Sequence, residues 1–148
     1  MRNILIVTFF SFLSCLCFSQ EKDALVGIWL EEEGQSKIEI YSVKTEEGIK
    51  FEGKIIWLEE PLRENGEIKL DRENPDPELR GSTILGLVIM KDLEFKKPRQ
   101  WSNGSIYDAR SGKTYSLEIN MPNTNILKLR GYLGVSLIGK TTIWKRVQ

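Results

Sequence analysis

The chain has 148 residues, with 21 basic and 21 acidic side chains, no histidine and two cysteines. That balance offers no net charge with which to hold nucleic acid or an anionic surface. Both cysteines (Cys15 and Cys17) lie within the first 19 residues, so zinc sites of His and Cys, cysteine nucleophiles and Ser-His-Asp triads are excluded from the remainder.

Residues 1–19 read as an export signal. Arg2 supplies the positive start, and Ile4 to Phe18 is an apolar stretch too short to span a bilayer comfortably. Cys17-Phe18-Ser19 offers small residues at cleavage spacing, which leaves Gln20 as the mature start. Lipoprotein processing at Cys15 is the alternative, because Leu13-Ser14 precedes it; the apolar Leu16, Cys17 and Phe18 after it make a poor lipid-anchored linker. The expectation is an exported protein, periplasmic or extracellular, whose residues 20–148 form one domain without a transmembrane span. Such a domain, lacking thiols, must be held by its core, and about 130 residues bury enough surface for that.

Almost every segment after residue 24 reads as strand. Val26–Glu31 comes first, and in Lys37–Val43 Ile38 and Ile40 alternate with Lys37, Glu39 and Tyr41. Thr45-Glu46-Glu47-Gly48 turns into Ile49–Leu58, where Ile49, Phe51, Ile55 and Trp57 share one face. Thr83–Met90 is a continuous apolar run. Gln100–Tyr107 and Lys113–Asn120 flank a glycine-containing hairpin loop, and Ile126–Leu133 and Lys140–Val147 complete the set. Eight short strands joined mostly by turns predict an all-β fold, an eight-stranded antiparallel up-and-down barrel. A two-sheet sandwich is the alternative.

At the two extremes of this pattern stand Gly27-Ile28-Trp29 and Thr142-Ile143-Trp144-Lys145-Arg146. A buried indole on the first strand with a guanidinium from the last can seal one end of a barrel. Gly27, Trp29, Trp144 and Arg146 are therefore the candidate closure residues.

One connection, Glu59–Ser82 between the third and fourth strands, is long, polar and proline-punctuated. Loops of that length are lids, ordered Ω-loops or disordered, and the prolines favour an ordered excursion. Asp71, Glu73, Asn74, Asp76 and Glu78 could bind calcium, but Pro75 and Pro77 restrict the backbone, and Asn74 and Asp76 suit turn capping equally well. A second constellation gathers Asp108, Arg110, Lys113 and Tyr115 around one hairpin, with Arg130 and Tyr132 on the next strand. Two readings of it stay open: an inward pocket for an anionic group, or an outward polar face. Trp57, beside the long loop, is the tryptophan best placed to touch a ligand.

These residues together resemble a known family of exported bacterial proteins, domain of unknown function family 2147. The resemblance rests on Gly27-Ile28-Trp29, Gly53-Lys54-Ile55-Ile56-Trp57-Leu58, Asn74-Pro75-Asp76-Pro77 with Arg80, and Leu85-Gly86-Leu87. It continues through Gly104-Ser105-Ile106-Tyr107-Asp108, Ser111-Gly112-Lys113-Thr114-Tyr115, Leu129-Arg130-Gly131-Tyr132-Leu133-Gly134 and Thr142-Ile143-Trp144-Lys145-Arg146. It implies an exported, lipocalin-like β-barrel and no activity.

No spacing supports a catalytic motif, so the expectation is not an enzyme, with no cofactor and no metal. It is a monomeric binder or sensor of a small apolar or amphipathic ligand, with Trp57, Asn74, Asp76, Arg80, Tyr107, Asp108, Tyr115, Arg130 and Tyr132 as candidate ligand contacts. The alternative is an interaction module with a filled barrel, offering residues 59–82 to an envelope protein or glycan. Internal volume discriminates the two.

Overall fold

The computed structural model describes residues 21–135 and 138–147. The expected signal segment lies outside the described residues. Eight strands follow one another: β1 (Gly27–Leu30), β2 (Ser36–Thr45), β3 (Gly48–Leu58), β4 (Val88–Lys97), β5 (Gln100–Asp108), β6 (Lys113–Asn123), β7 (Ile126–Tyr132) and β8 (Gly139–Arg146). Each pairs antiparallel with its neighbour, and β8 returns to β1 through Trp29 opposite Arg146 and Leu30 opposite Lys145. The sheet is thus a closed up-and-down barrel, which leaves no bare edge, and the sandwich alternative falls away.

Alternation decides what faces inward. In β2, Ile38 and Ile40 are buried between half-exposed Lys37, Glu39 and Tyr41; in β6 and β7 the inward set is Leu117, Ile119, Met121, Leu127 and Leu129. One end is packed solid. Leu25, Trp29, Phe51, Leu93, Trp101 and Leu127 meet there with at most 1% exposure, and Phe95 sets its ring edge-on to Trp101 at 6.0 Å. Each fully buried tryptophan contributes on the order of 4–6 kcal/mol of transfer free energy.

The floor at this end is the turn Asp23–Leu25 leading into Gly27, whose φ of 146° lies in a region that favours glycine. Trp29 Nε1 donates to the Leu25 carbonyl at 3.0 Å. Arg146 lies over the indole, 4.1 Å from its centroid. Its three nitrogens donate to the carbonyls of Ala24, Val26 and Thr124 at 2.6, 2.9 and 2.7 Å.

The fourth strand departs from the sequence reading. It runs Val88–Lys97 rather than Thr83–Met90. Asp92 sits at φ 56°, and the β3–β4 register shifts between Phe51 and Gly53. This irregularity breaks the two-residue period, so Met90 and Leu93 are both buried and the strand has no simple alternation to read. The apolar Thr83–Leu87 belongs instead to the long loop, which spans residues 59–87, and Ile84 and Leu87 cover the core from there. The loop is ordered internally: Leu62 bridges Ile68, Leu70 bridges Thr83, and the backbone of Asp71 and Ile84 bonds to Ser82 and Lys69.

Candidate functional site

Opposite the floor, the connections β1–β2, β3–β4, β5–β6 and β7–β8 surround an open mouth. Below it is a cavity of about 1320 Å³. Its walls are apolar, formed by Ile38, Ile55, Ile89, Leu117, Leu129 and Trp144. The mouth is charged: Glu31, Glu32, Glu33, Arg63, Arg110 and Lys140 stand around it. A greasy interior below a polar rim suits a molecule with one apolar and one polar part.

Several rim charges are already committed. Arg110 donates to Glu33 at 3.0 Å and to Asp108 at 3.4 Å, tying the β5–β6 hairpin to the β1–β2 loop across the mouth. Thr142 donates to Glu32 at 2.9 Å, and Lys69 pairs with Glu60 at 3.5 Å. Glu31 accepts from the backbone amides of Glu33, Gln35 and Ser36 in its own turn. Burial pushes the Asp108 carboxyl up, yet hydrogen bonds from Ser111 and Arg110 and the guanidinium charge outweigh it and hold the group below its ordinary value.

The long loop is strapped to the barrel by Asp71. This carboxylate is 0% exposed and accepts from the Tyr107 hydroxyl and from Asn74 Nδ2, both at 2.7 Å. Burial, then the bond to Asp71, pushes the Tyr107 hydroxyl up to about 12. Asn74 Oδ1 accepts from the Asp76 amide, Asp76 accepts from the Glu78 amide, and Arg80 Nε donates to the Asn74 carbonyl at 2.7 Å. Gly112, at φ 69°, lies so close to the Glu73 carbonyl oxygen that a side chain there would collide with it. Among the described residues, no three acidic side chains converge as a metal site would need.

The candidate contacts named from sequence therefore separate into groups. Tyr107, Asp108, Tyr115 and Tyr132 border the cavity. Asn74, Asp76 and Arg80 form the hydrogen-bonded frame of the strap. Arg130 lies on the face of β7 opposite Leu127 and Leu129 and donates to Thr141 Oγ1 at 3.4 Å, while the Tyr132 hydroxyl donates to Glu118 at 3.3 Å. Arg130 thus stands on the outward polar face, not in an inward anion pocket. Trp144, named as a closure residue, stands in the cavity wall above the floor.

Trp57 is corrected as well. Lys37 pairs with Trp57 and Ile38 with Ile55, so Ile56 is an extra residue that reverses the parity of β3. Leu58 turns to the cavity, while Trp57 is 38% exposed with Lys37 Nζ over its ring at 4.8 Å. Sequence reasoning missed Arg63, and the burial of Asp71; each looks locally like any charged loop residue.

A closed eight-stranded barrel with a sealed floor and one open, cavity-bearing end defines a β-barrel of the lipocalin type. The chain belongs to the bacterial family described as "Uncharacterized protein conserved in bacteria (DUF2147)", whose model matches residues 27–146. A similar solved structure is HP1028 from the human pathogen Helicobacter pylori, described as belonging to the lipocalin family. The two share 26% identity over 84% of this chain and 83% of that one, with a TM-score of 0.67. No curated protein matches the chain.

Proposed function

We propose that this protein is a non-enzymatic carrier or sensor that holds a small apolar or amphipathic molecule inside its barrel, in an exported, periplasmic or extracellular setting. The observation that carries this reading is the cavity: about 1320 Å³ beneath an open mouth, with buried apolar side chains in its walls. It supports a ligand binder over a filled barrel that offers only its long loop to a partner. The lipocalin description of HP1028 favours the same reading. A molecule that fits gains mainly from burying apolar surface, at about 25 cal/mol per Å², and the charged rim keeps the mouth wetted. Native mass spectrometry of protein purified from its own host, with titration of the stripped protein by the neutral fluorophore N-phenylnaphthylamine, tests it. A retained small molecule, or saturable probe binding, is expected; neither retention nor binding would overturn the reading.

A further inference from the structure

One group at the mouth lacks the partner that its surroundings demand. Arg63, on the long loop, lines the cavity. Its Nε is shut away from solvent and has no hydrogen-bond acceptor. Among the described residues only one other buried side-chain nitrogen is in that position, Trp101 Nε1, and it lies in the packed end beside Phe95. A guanidinium donor withdrawn from water without an acceptor is costly, and an oxyanion answers it best because the planar fork can bond two oxygens at once.

The remaining rim charges sharpen the assignment. Of the carboxylates that line the cavity, Glu31 is engaged by its own turn, Glu32 by Thr142, Glu33 by Arg110 and Glu60 by Lys69; Glu59 and Glu73 also line it, and among the described residues none of these carboxylates is hydrogen-bonded to Arg63. Among the described residues, none of the ion pairs includes Arg63. Arg63 is thus a cation with no ion-pair partner among the described residues, lining a cavity with apolar walls.

We infer that the ligand class is an amphiphile with a single anionic head, carboxylate or a similar oxyanion, whose head is bound by Arg63 and whose tail lies among Ile38, Ile55, Leu117, Leu129 and Trp144. This rests on the reading of the barrel as a ligand carrier and names the chemistry of its cargo. The apolar walls supply affinity for the tail; Arg63 supplies preference for the head.

The test is displacement of N-phenylnaphthylamine from the full folded protein by lauric acid, dodecanol and dodecylamine, three molecules sharing one tail. Laurate is expected to bind at least about tenfold tighter than dodecanol, the scale of a charge-assisted bond. Arg63→Gln should bring laurate down to the dodecanol level while dodecanol is unchanged, and Arg63→Lys should restore part of the preference. Lys128→Gln, a change at an exposed cation on the outer face of β7 away from the cavity, should leave the preference intact. Equal binding of acid and alcohol to the unaltered protein, tightest binding of the amine, or a preference that survives Arg63→Gln or disappears in Lys128→Gln would each overturn the assignment. If neither the probe nor any of the three amphiphiles binds, the carrier reading itself fails, which is a different result.

Discussion

The guanidinium of Arg146 lies 4.1 Å from the centroid of the Trp29 ring while donating to three backbone carbonyls. One cation thus covers the indole face and satisfies oxygens from the entry segment and from the β6–β7 turn. Trp29→Ala should cost on the order of 3–5 kcal/mol, because the surrounding floor cannot collapse into the space. Arg146→Ala should cost about 1.5–3 kcal/mol, with Arg146→Lys between wild type and that loss, since lysine keeps the charge but cannot supply the same fork. Urea unfolding followed by circular dichroism measures all three. A Trp29→Ala variant that unfolds at the wild-type midpoint would show that the floor is not built on this contact.

The strap makes a separate prediction. Tyr107→Phe leaves the buried Asp71 carboxylate with one partner fewer, and should destabilise by about 1–3 kcal/mol. The effect should be local, so hydrogen exchange at residues 71–74 is expected to accelerate more than exchange in β6 and β7. Uniform acceleration across the barrel would argue that the loop has no stability of its own.

Alkaline pH gives an independent reading of the same bond. Burial and neighbouring carboxylates raise the hydroxyls of Tyr41 and Tyr107 from 10.0 to about 12. In that window the native state keeps protons that the unfolded chain has released, so stability falls as pH rises from about 10 to about 12 and is unaffected below it. Replacing either tyrosine with phenylalanine should flatten the slope. Unfolding midpoints at a series of alkaline pH values check this, and an unchanged slope in both variants would refute it.

Ligand entry should be visible to Trp144 and invisible to Trp57. Trp144 is 4% exposed in the cavity wall, whereas Trp57 points away from the cavity. Trp57→Phe should leave probe affinity within about twofold, and Trp144→Ala should weaken it by tenfold or more, the loss of a large apolar contact. Quenching of tryptophan fluorescence on titration should persist in the first variant and largely disappear in the second.

For export, the mature form should begin near Gln20 and contain no cysteine. Intact mass of the protein recovered from its host decides it. A product that retains Cys15 and carries a diacylglyceryl group would replace secretion with lipid anchoring.

The barrel was legible in the sequence wherever one side chain in two had to be apolar. Ile38 and Ile40 mark β2, and Leu127 and Leu129 mark β7, because their neighbours face water. Legibility failed where the backbone breaks its own period. The extra residue at Ile56 turns Trp57 outward and Leu58 inward, and the positive φ of Asp92 hides the second half of β4 from any alternation. Tyr107 and Tyr115 were within reach because they flank the β5–β6 hairpin, which stands at the mouth. Arg63 was not, since its significance lies in what fails to approach it in space, and no local pattern encodes a missing partner.

The bond from Arg146 to the Ala24 carbonyl joins residues 122 positions apart, and the β1–β8 seam it secures is registered by two residue pairs among the described residues. Bringing such distant segments together costs loop-closure entropy before any contact rewards it. Until residue 146 arrives, β1 is an unpaired edge with its indole uncovered. Closure of the seam is therefore expected late in folding, and until it forms the open edge of β1 is where another chain could pair.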